Sequence, residues 1–129
     1  MIFVVQLHQA RSLHYDLRLE VDGVLASWAV PKGPSLDPRD KRLAVHVDDH
    51  ALAHASFESS TVHIWDSGTY DNLTEKDGEP LGVRGAIEAG HLKVELHGER
   101  LSGVFALTRT TMGGDPRNWI LVKVGDTGG

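Results

Sequence analysis

Apolar and polar positions alternate with a period of two along most of the chain, and fourteen glycines and five prolines interrupt the alternation at short intervals. Residues 3–8 (Phe-Val-Val-Gln-Leu-His) predict a first strand and residues 14–21 a second. Asp22-Gly23 then supplies a two-residue hairpin signal, with residues 24–30 as the return strand. Three prolines between Pro31 and Pro38 exclude both a ladder and a helix there, so this stretch is expected as an ordered loop. Strands follow at 42–48 and 61–66, and the polar, glycine-containing stretch 71–82 is expected as a surface loop with some disorder. Residues 83–89 predict a short helix closed by Gly90 in the left-handed conformation. Residues 92–96, 104–108 and 119–124 complete the strands, and Asp126–Gly129 is expected to fray.

Some seven short strands with hairpin spacings, no internal repeat and no linker predict one all-β domain over residues 1–125. The expected architecture is a small antiparallel β-barrel with one or two short helices, since closure removes the edges that short strands expose. The length of 129 residues suits a single domain, and 40% hydrophobic with 24% charged residues argues against disorder. No apolar run approaches the ~20 residues of a membrane-spanning helix, and Met1-Ile2-Phe3-Val4-Val5 lacks the basic start of a signal peptide. A cytoplasmic location is therefore expected, with no membrane partner. The absence of cysteine excludes disulfides, thiolate metal sites and thiol nucleophiles. A formal charge of −5 counts against a protein that coats DNA by bulk electrostatics. Eight histidines point instead to metal or phosphate chemistry.

The polar faces of three strands carry that chemistry. On the second strand, alternation puts His14, Asp16, Arg18 and Glu20 on one face, with Tyr15, Leu17, Leu19 and Val21 on the other. A two-residue turn at Asp22-Gly23 sets Arg18 opposite Ser27 and Asp16 opposite Ala29, and these small partners leave room above the polar row. On the strand from Arg42, the same alternation groups Arg42, Ala44, His46, Asp48 and, if the strand extends, His50, with Leu43, Val45 and Val47 toward the core. His8 shares a side with Gln6. His8, His14 and Asp16 form a set able to hold a divalent metal with open positions. The competing interpretation is a solvated strand face whose ion pairs contribute ~0–1 kcal/mol, and His63, His91 and His97 fit it well. Lys32, between two prolines, fits a rigid loop that meets phosphate. Arg18 and Arg42 can neutralise phosphate oxygens, and an imidazole such as His50 can protonate a leaving oxygen.

Residues 3–8, Leu13-His14-Tyr15-Asp16-Leu17-Arg18-Leu19-Glu20, Ser27-Trp28-Ala29-Val30-Pro31-Lys32-Gly33-Pro34, Lys41 to His50 and Gly90 to Gly98 together resemble the 3′-phosphoesterase domain of bacterial DNA ligase D, which also occurs as stand-alone proteins. The likeness covers nearly the whole chain. It implies a small barrel with a crescent-shaped groove and a manganese-dependent enzyme that heals 3′ ends. A phosphodiesterase step would remove a terminal ribonucleoside, and a phosphomonoesterase step would turn the remaining 3′-phosphate into a 3′-hydroxyl. Carried over position by position, the resemblance implies His8, His14 and Asp16 as metal ligands, with zinc or cobalt as other suitable ions. It implies Arg18, Arg42 and His50 as the catalytic and phosphate-binding group, supported by Lys32 and Asp48. DNA or RNA 3′ ends are the implied partners, with a ligase and end-binding proteins acting in trans.

Two departures from the family pattern stand out. Family members continue after Phe57-Glu58 with a glycine-rich insertion, whereas here Ser59-Ser60 runs directly into Thr61-Val62-His63-Ile64. His54 stands where many members have a tyrosine, so that an imidazole would replace a hydroxyl against phosphate. Two other classes fit parts of the pattern. A non-haem iron oxygenase would use the same two imidazoles and carboxylate, and a non-catalytic nucleic-acid-binding barrel would need more than the 6% aromatic residues available for stacking.

Overall fold

The computed structural model describes residues 1–125; the expected fraying of 126–129 lies outside the described residues. Among the described residues the strands are β1 (Ile2–Gln9), β2 (Leu13–Val21), β3 (Val24–Val30), β4 (Arg42–Ala51), β5 (Val62–Asn72), β6 (Glu75–Lys76), β7 (Glu79–Pro80), β8 (His91–Gly98), β9 (Ser102–Arg109) and β10 (Asn118–Lys123). One α-helix, α1 (Val83–Ala89), and 3₁₀ turns at Leu52–Ser56 and Met112–Gly114 accompany them. Eight strands close an antiparallel barrel in the order β1-β2-β3-β4-β10-β9-β8-β5, with β5 pairing back onto β1. Among the described residues no helix is long and apolar enough to cross a membrane.

The hairpin between β2 and β3 forms as its sequence demands. Asp22 and Gly23 both take positive φ, 51° and 80°, as a type I′ turn requires, and Val21 faces Val24. That register sets Leu17 opposite Trp28 and Leu19 opposite Ala26, all looking into the barrel. Phe3 and Val5 of β1, Leu92, Val94 and Leu96 of β8, Phe105 and Leu107 of β9 and Trp119 and Leu121 of β10 fill the same interior. α1 adds Val83, Ala86 and Ile87, and Gly90 at φ 86° ends it by donating its N–H to the Ala86 and Ile87 carbonyls.

Two expectations fail, each for a non-local reason. Residues 71–82 are not a disordered loop. β5 runs on to Asn72 because it pairs with β8, and β6 and β7 form a small ribbon around Asp77 (φ 55°) and Gly78 (φ 79°), a second type I′ turn. The faces of β4 are also exchanged. Ala44 is fully buried and His46 stacks on Trp28 at 4.9 Å between ring centroids, whereas Leu43 is 42% exposed. Trp28 of β3 fixes this by pairing with His46, which turns Leu43, Val45 and Val47 outward. A bulge then intervenes, since Ser27 faces Val47 and Leu25 faces His50. The extra residue on β4 moves His50 onto the outer face, away from His46, Ala44 and Arg42.

Candidate active site

The outer face of the β1–β4 wall is not solvated. Val4, Gln6, Leu25 and Ser27 point outward yet are at most 1% exposed. The 3₁₀ turn at Leu52–Ser56 and the residues after it lie across this wall as a strap. Gln6 anchors the strap, its Nε2 donating to the backbone carbonyls of His54 (2.8 Å) and Phe57 (3.1 Å). The short connection after Glu58 is pinned as well, by Ser59 N–H to the Val62 carbonyl (2.9 Å) and Ile64 N–H to Glu58 Oε2 (3.1 Å). Wall and strap bound a groove of about 460 Å³ that is lined on its polar side by His8, His14, Asp16, Arg18, His50 and His54.

Register alone brings the first three together. His8 pairs with His14 across β1 and β2, and Asp16 lies two residues further along the same face of β2. The two rings are 4.8 Å apart, and the Asp16 carboxylate lies 3.3 Å from His14 Nε2 and 3.8 Å from His8 Nδ1. One donor atom from each residue lies within 4.8 Å of the others, the spread that a single first-row divalent ion can span with small ring rotations. His14 Nδ1 lies 3.2 Å from the Ser12 carbonyl, which can only accept, so Nδ1–H donates there and Nε2 is the ring atom turned toward Asp16. The donor set of two imidazoles and one carboxylate therefore fits a divalent metal cation.

Arg18 stands beside this set, 5% exposed. Its Nε donates to Gln6 Oε1 (2.8 Å), its Nη1 to Ser27 Oγ (2.8 Å) and His50 Nδ1 (3.0 Å), and its Nη2 lies 3.5 Å from Asp16 Oδ2. Burial lowers its pKa from the ordinary value while Asp16 works in the opposite direction. The guanidinium stays charged, as arginine does in folded proteins. Since arginine only donates, His50 Nδ1 must accept, and the neutral ring then carries its proton on Nε2. The Asp48 carbonyl, 3.1 Å from the same Nδ1, becomes the acceptor if the ring is doubly protonated. His54 lies 4.9 Å from His50, and burial, followed by the positive charge of Arg18 and by repulsion from His50 whenever that ring is protonated, lowers its pKa, which favours the neutral imidazole.

Three residues drawn into the site from sequence do not line the groove. Arg42 faces the same way as Ala44, opposite Leu121 of β10, and its Nη2 lies 3.5 Å from Asp40. The bulge in β4 separates it from His50. Lys32 is exposed beyond the end of β3, where the loop folds onto Tyr15 at Gly33 (φ 78°). The Asp48 side chain is exposed, and only its backbone oxygen approaches the site. Conversely, Gln6 and Phe57 belong to the groove or its support although sequence assigned them no role, and Ser27, expected only as a small partner opposite Arg18, accepts a hydrogen bond from it. The one available signal was a glutamine within an apolar strand, three residues after Phe3. His97 lies elsewhere, in an exposed hydrogen bond between its Nε2 and Asp71 Oδ2 (2.8 Å) near Glu95 on the outer face of β5 and β8. His63 and His91 are also exposed.

The chain is similar to several multifunctional non-homologous end joining proteins named LigD. It shares 47% identity over 133 residues with the one from Pseudomonas aeruginosa, covering 96% of this chain and 15% of that protein. With the Mycobacterium tuberculosis protein it shares 48% over 117 residues, covering 84% and 14%. With the Mycolicibacterium smegmatis protein it shares 41% over 134 residues, covering 96% and 17%. The chain thus spans about a sixth of the length of these relatives. Residues 6–109, which contain β1 from Gln6 onward, the strap and every groove residue described above, match the family model for the DNA ligase D 3′-phosphoesterase domain, and the chain belongs to that family.

Proposed function

We propose that the protein is a divalent-metal-dependent phosphoesterase acting on the 3′ ends of DNA or RNA in repair. It would remove a 3′-terminal ribonucleoside and then the 3′-phosphate, with manganese as the working metal. The observation that carries this reading is the juxtaposition of His8, His14 and Asp16 with the buried Arg18–His50 pair in one groove. Membership in the phosphoesterase family and the end-joining names of the relatives support it.

A divalent cation held by His8, His14 and Asp16 would polarise a phosphate oxygen and supply an activated water. Arg18 binds the adjacent non-bridging oxygen. Its Nε and Nη1 are already engaged by Gln6, Ser27 and His50, so Nη2 is the arm left to donate, held in place before substrate arrives. His50 presents Nε2–H to the groove, placed to hydrogen-bond the transferring phosphoryl group or to protonate the leaving oxygen. To protonate a leaving oxygen the ring would start doubly protonated, with its Nδ1–H turned to the Asp48 carbonyl, and end as the neutral ring. Neutral His54 adds a further donor. Lys32 and Arg42 take no part in these contacts.

The decisive assay offers a 3′-phosphorylated oligonucleotide and one ending in a single ribonucleotide, with manganese and without oxygen. A 3′-hydroxyl product from both, absent when a chelator is added, is expected. No product with any divalent metal overturns the proposal, and turnover that requires oxygen favours the iron oxygenase instead.

A further inference from the structure

The groove is larger than a phosphate group requires. At about 460 Å³ it falls among sites that enclose a whole small molecule, typically ~300–1,000 Å³. Its polar lining comprises the metal-holding and phosphate-facing groups of the proposed function together with Ser59 and Thr61 at the strap. The rest of the lining is apolar and comprises Ala29, Val47, Val62 and Phe57.

Phe57 is the only phenyl, phenol or indole ring among the described residues that line the groove. It is 44% exposed, and one face lies on His54, with 4.9 Å between centroids and 14° between planes. The ring is not on a loose loop. Phe57 N–H donates to the His54 carbonyl (3.0 Å), and both the His54 and Phe57 carbonyls accept from Gln6. The same glutamine accepts from Arg18 Nε. One fully buried side chain therefore fixes both the guanidinium facing phosphate and the backbone that carries the aromatic ring. A flat apolar surface at a set position beside a phosphate site matches a nucleoside phosphate, whose base is flat and joined to phosphorus by one sugar.

We propose that Phe57, backed by His54, is a stacking platform for the nucleobase of the nucleoside attached to the scissile phosphate. The proposal rests on the phosphoesterase reading and specifies what that site selects: a base of any identity, since every base offers a π-face. Stacking on a single aromatic residue changes affinity by about tenfold or more per base.

The test compares kcat/KM for two oligonucleotides of equal length, one ending in a ribonucleoside and the other in an abasic ribose, with manganese. The wild-type protein is expected to prefer the base-bearing end about tenfold, chiefly through KM. Phe57→Leu should bring that ratio close to one, and Phe57→Tyr should restore it. An equal preference in wild type and Phe57→Leu overturns the platform, as does an active wild-type protein with no preference. A loss in Phe57→Leu of the same size on both ends marks Phe57 as merely structural and also overturns it. Failure of the wild-type protein to cleave either end overturns the phosphoesterase reading itself, and the platform with it.

Discussion

Replacing Gln6 by leucine should damage stability and turnover together. The side chain is fully buried and makes three hydrogen bonds. The bond from Arg18 Nε involves a charge in a dry setting and contributes about 1.5–3 kcal/mol, and each of the two bonds to strap carbonyls contributes about 0.5–1.5 kcal/mol. Water can reach the strap carbonyls once the amide is gone but reaches the 5%-exposed arginine poorly, so a net loss of about 3 kcal/mol is expected. For a domain of 129 residues that corresponds to a fall in Tm on the order of 10 °C. With its guanidinium no longer oriented, Arg18 should also lose catalytic value, and kcat/KM on a 3′-phosphorylated end should fall about a hundredfold. Gln6→Glu separates the two roles. It keeps an acceptor for Arg18 Nε and loses both donors to the strap, so kcat should be largely retained while KM rises. Urea titration and steady-state kinetics on the three proteins check this. If Gln6→Leu melts within 1–2 °C of wild type, as scaled from the same relation, and retains its turnover, the assigned network is wrong.

Asp16→Ala should abolish manganese binding along with both 3′-end activities, and elemental analysis showing full metal occupancy in that variant refutes the ligand assignment. Arg18→Ala should keep the metal and lose at least about a hundredfold in rate, because its target is the phosphate; metal loss by the same analysis would contradict this. His46 should make the fold acid-sensitive. Burial chiefly lowers its pKa from 6.5, with Asp49 and Asp48 opposing and Arg109 and Arg84 assisting. The unfolded chain then binds more protons just below pH 6.5, so stability is complete above that value and declines as pH falls through the folded pKa. His46→Phe, which keeps an aromatic ring against Trp28, should flatten the Tm profile between about pH 7 and pH 5 relative to wild type. Parallel profiles for the two proteins count against a buried neutral His46.

Local chemistry made much of this architecture legible. Asp22-Gly23 fixed the register of β2 on β3, and with it Arg18 against Ser27 and Asp16 against Ala29, because a two-residue I′ turn leaves no alternative pairing. Gly90 marked the end of α1 for an equally local reason. The grouping of His8, His14 and Asp16 was legible because they sit on adjacent strands of one short hairpin. What stayed hidden depends on contacts between distant residues. The exchanged faces of β4 follow from Trp28 and from a bulge that alternation cannot anticipate. Gln6 meets His54 and Phe57 across about fifty residues of chain, and neither partner advertises the contact, since both contribute only backbone oxygens. The continuation of β5 likewise depends on β8, although the Asp77-Gly78 pair that closes the small ribbon was readable.

The strap has an implication for how such a scaffold diversifies. Barrel ribs dictate where His8, His14, Asp16 and Arg18 stand, while a separate ten-residue ribbon, residues 52–61, forms the opposite bank and hangs chiefly from one amide. Under the proposed function, lengthening or trimming the part of that bank after Phe57 would reshape the berth for a strand end while leaving the groups of β1 and β2 in place. Residues 58–61 could then alter selectivity without moving those groups, whereas a change at His54 or Phe57 would reach Arg18 through Gln6.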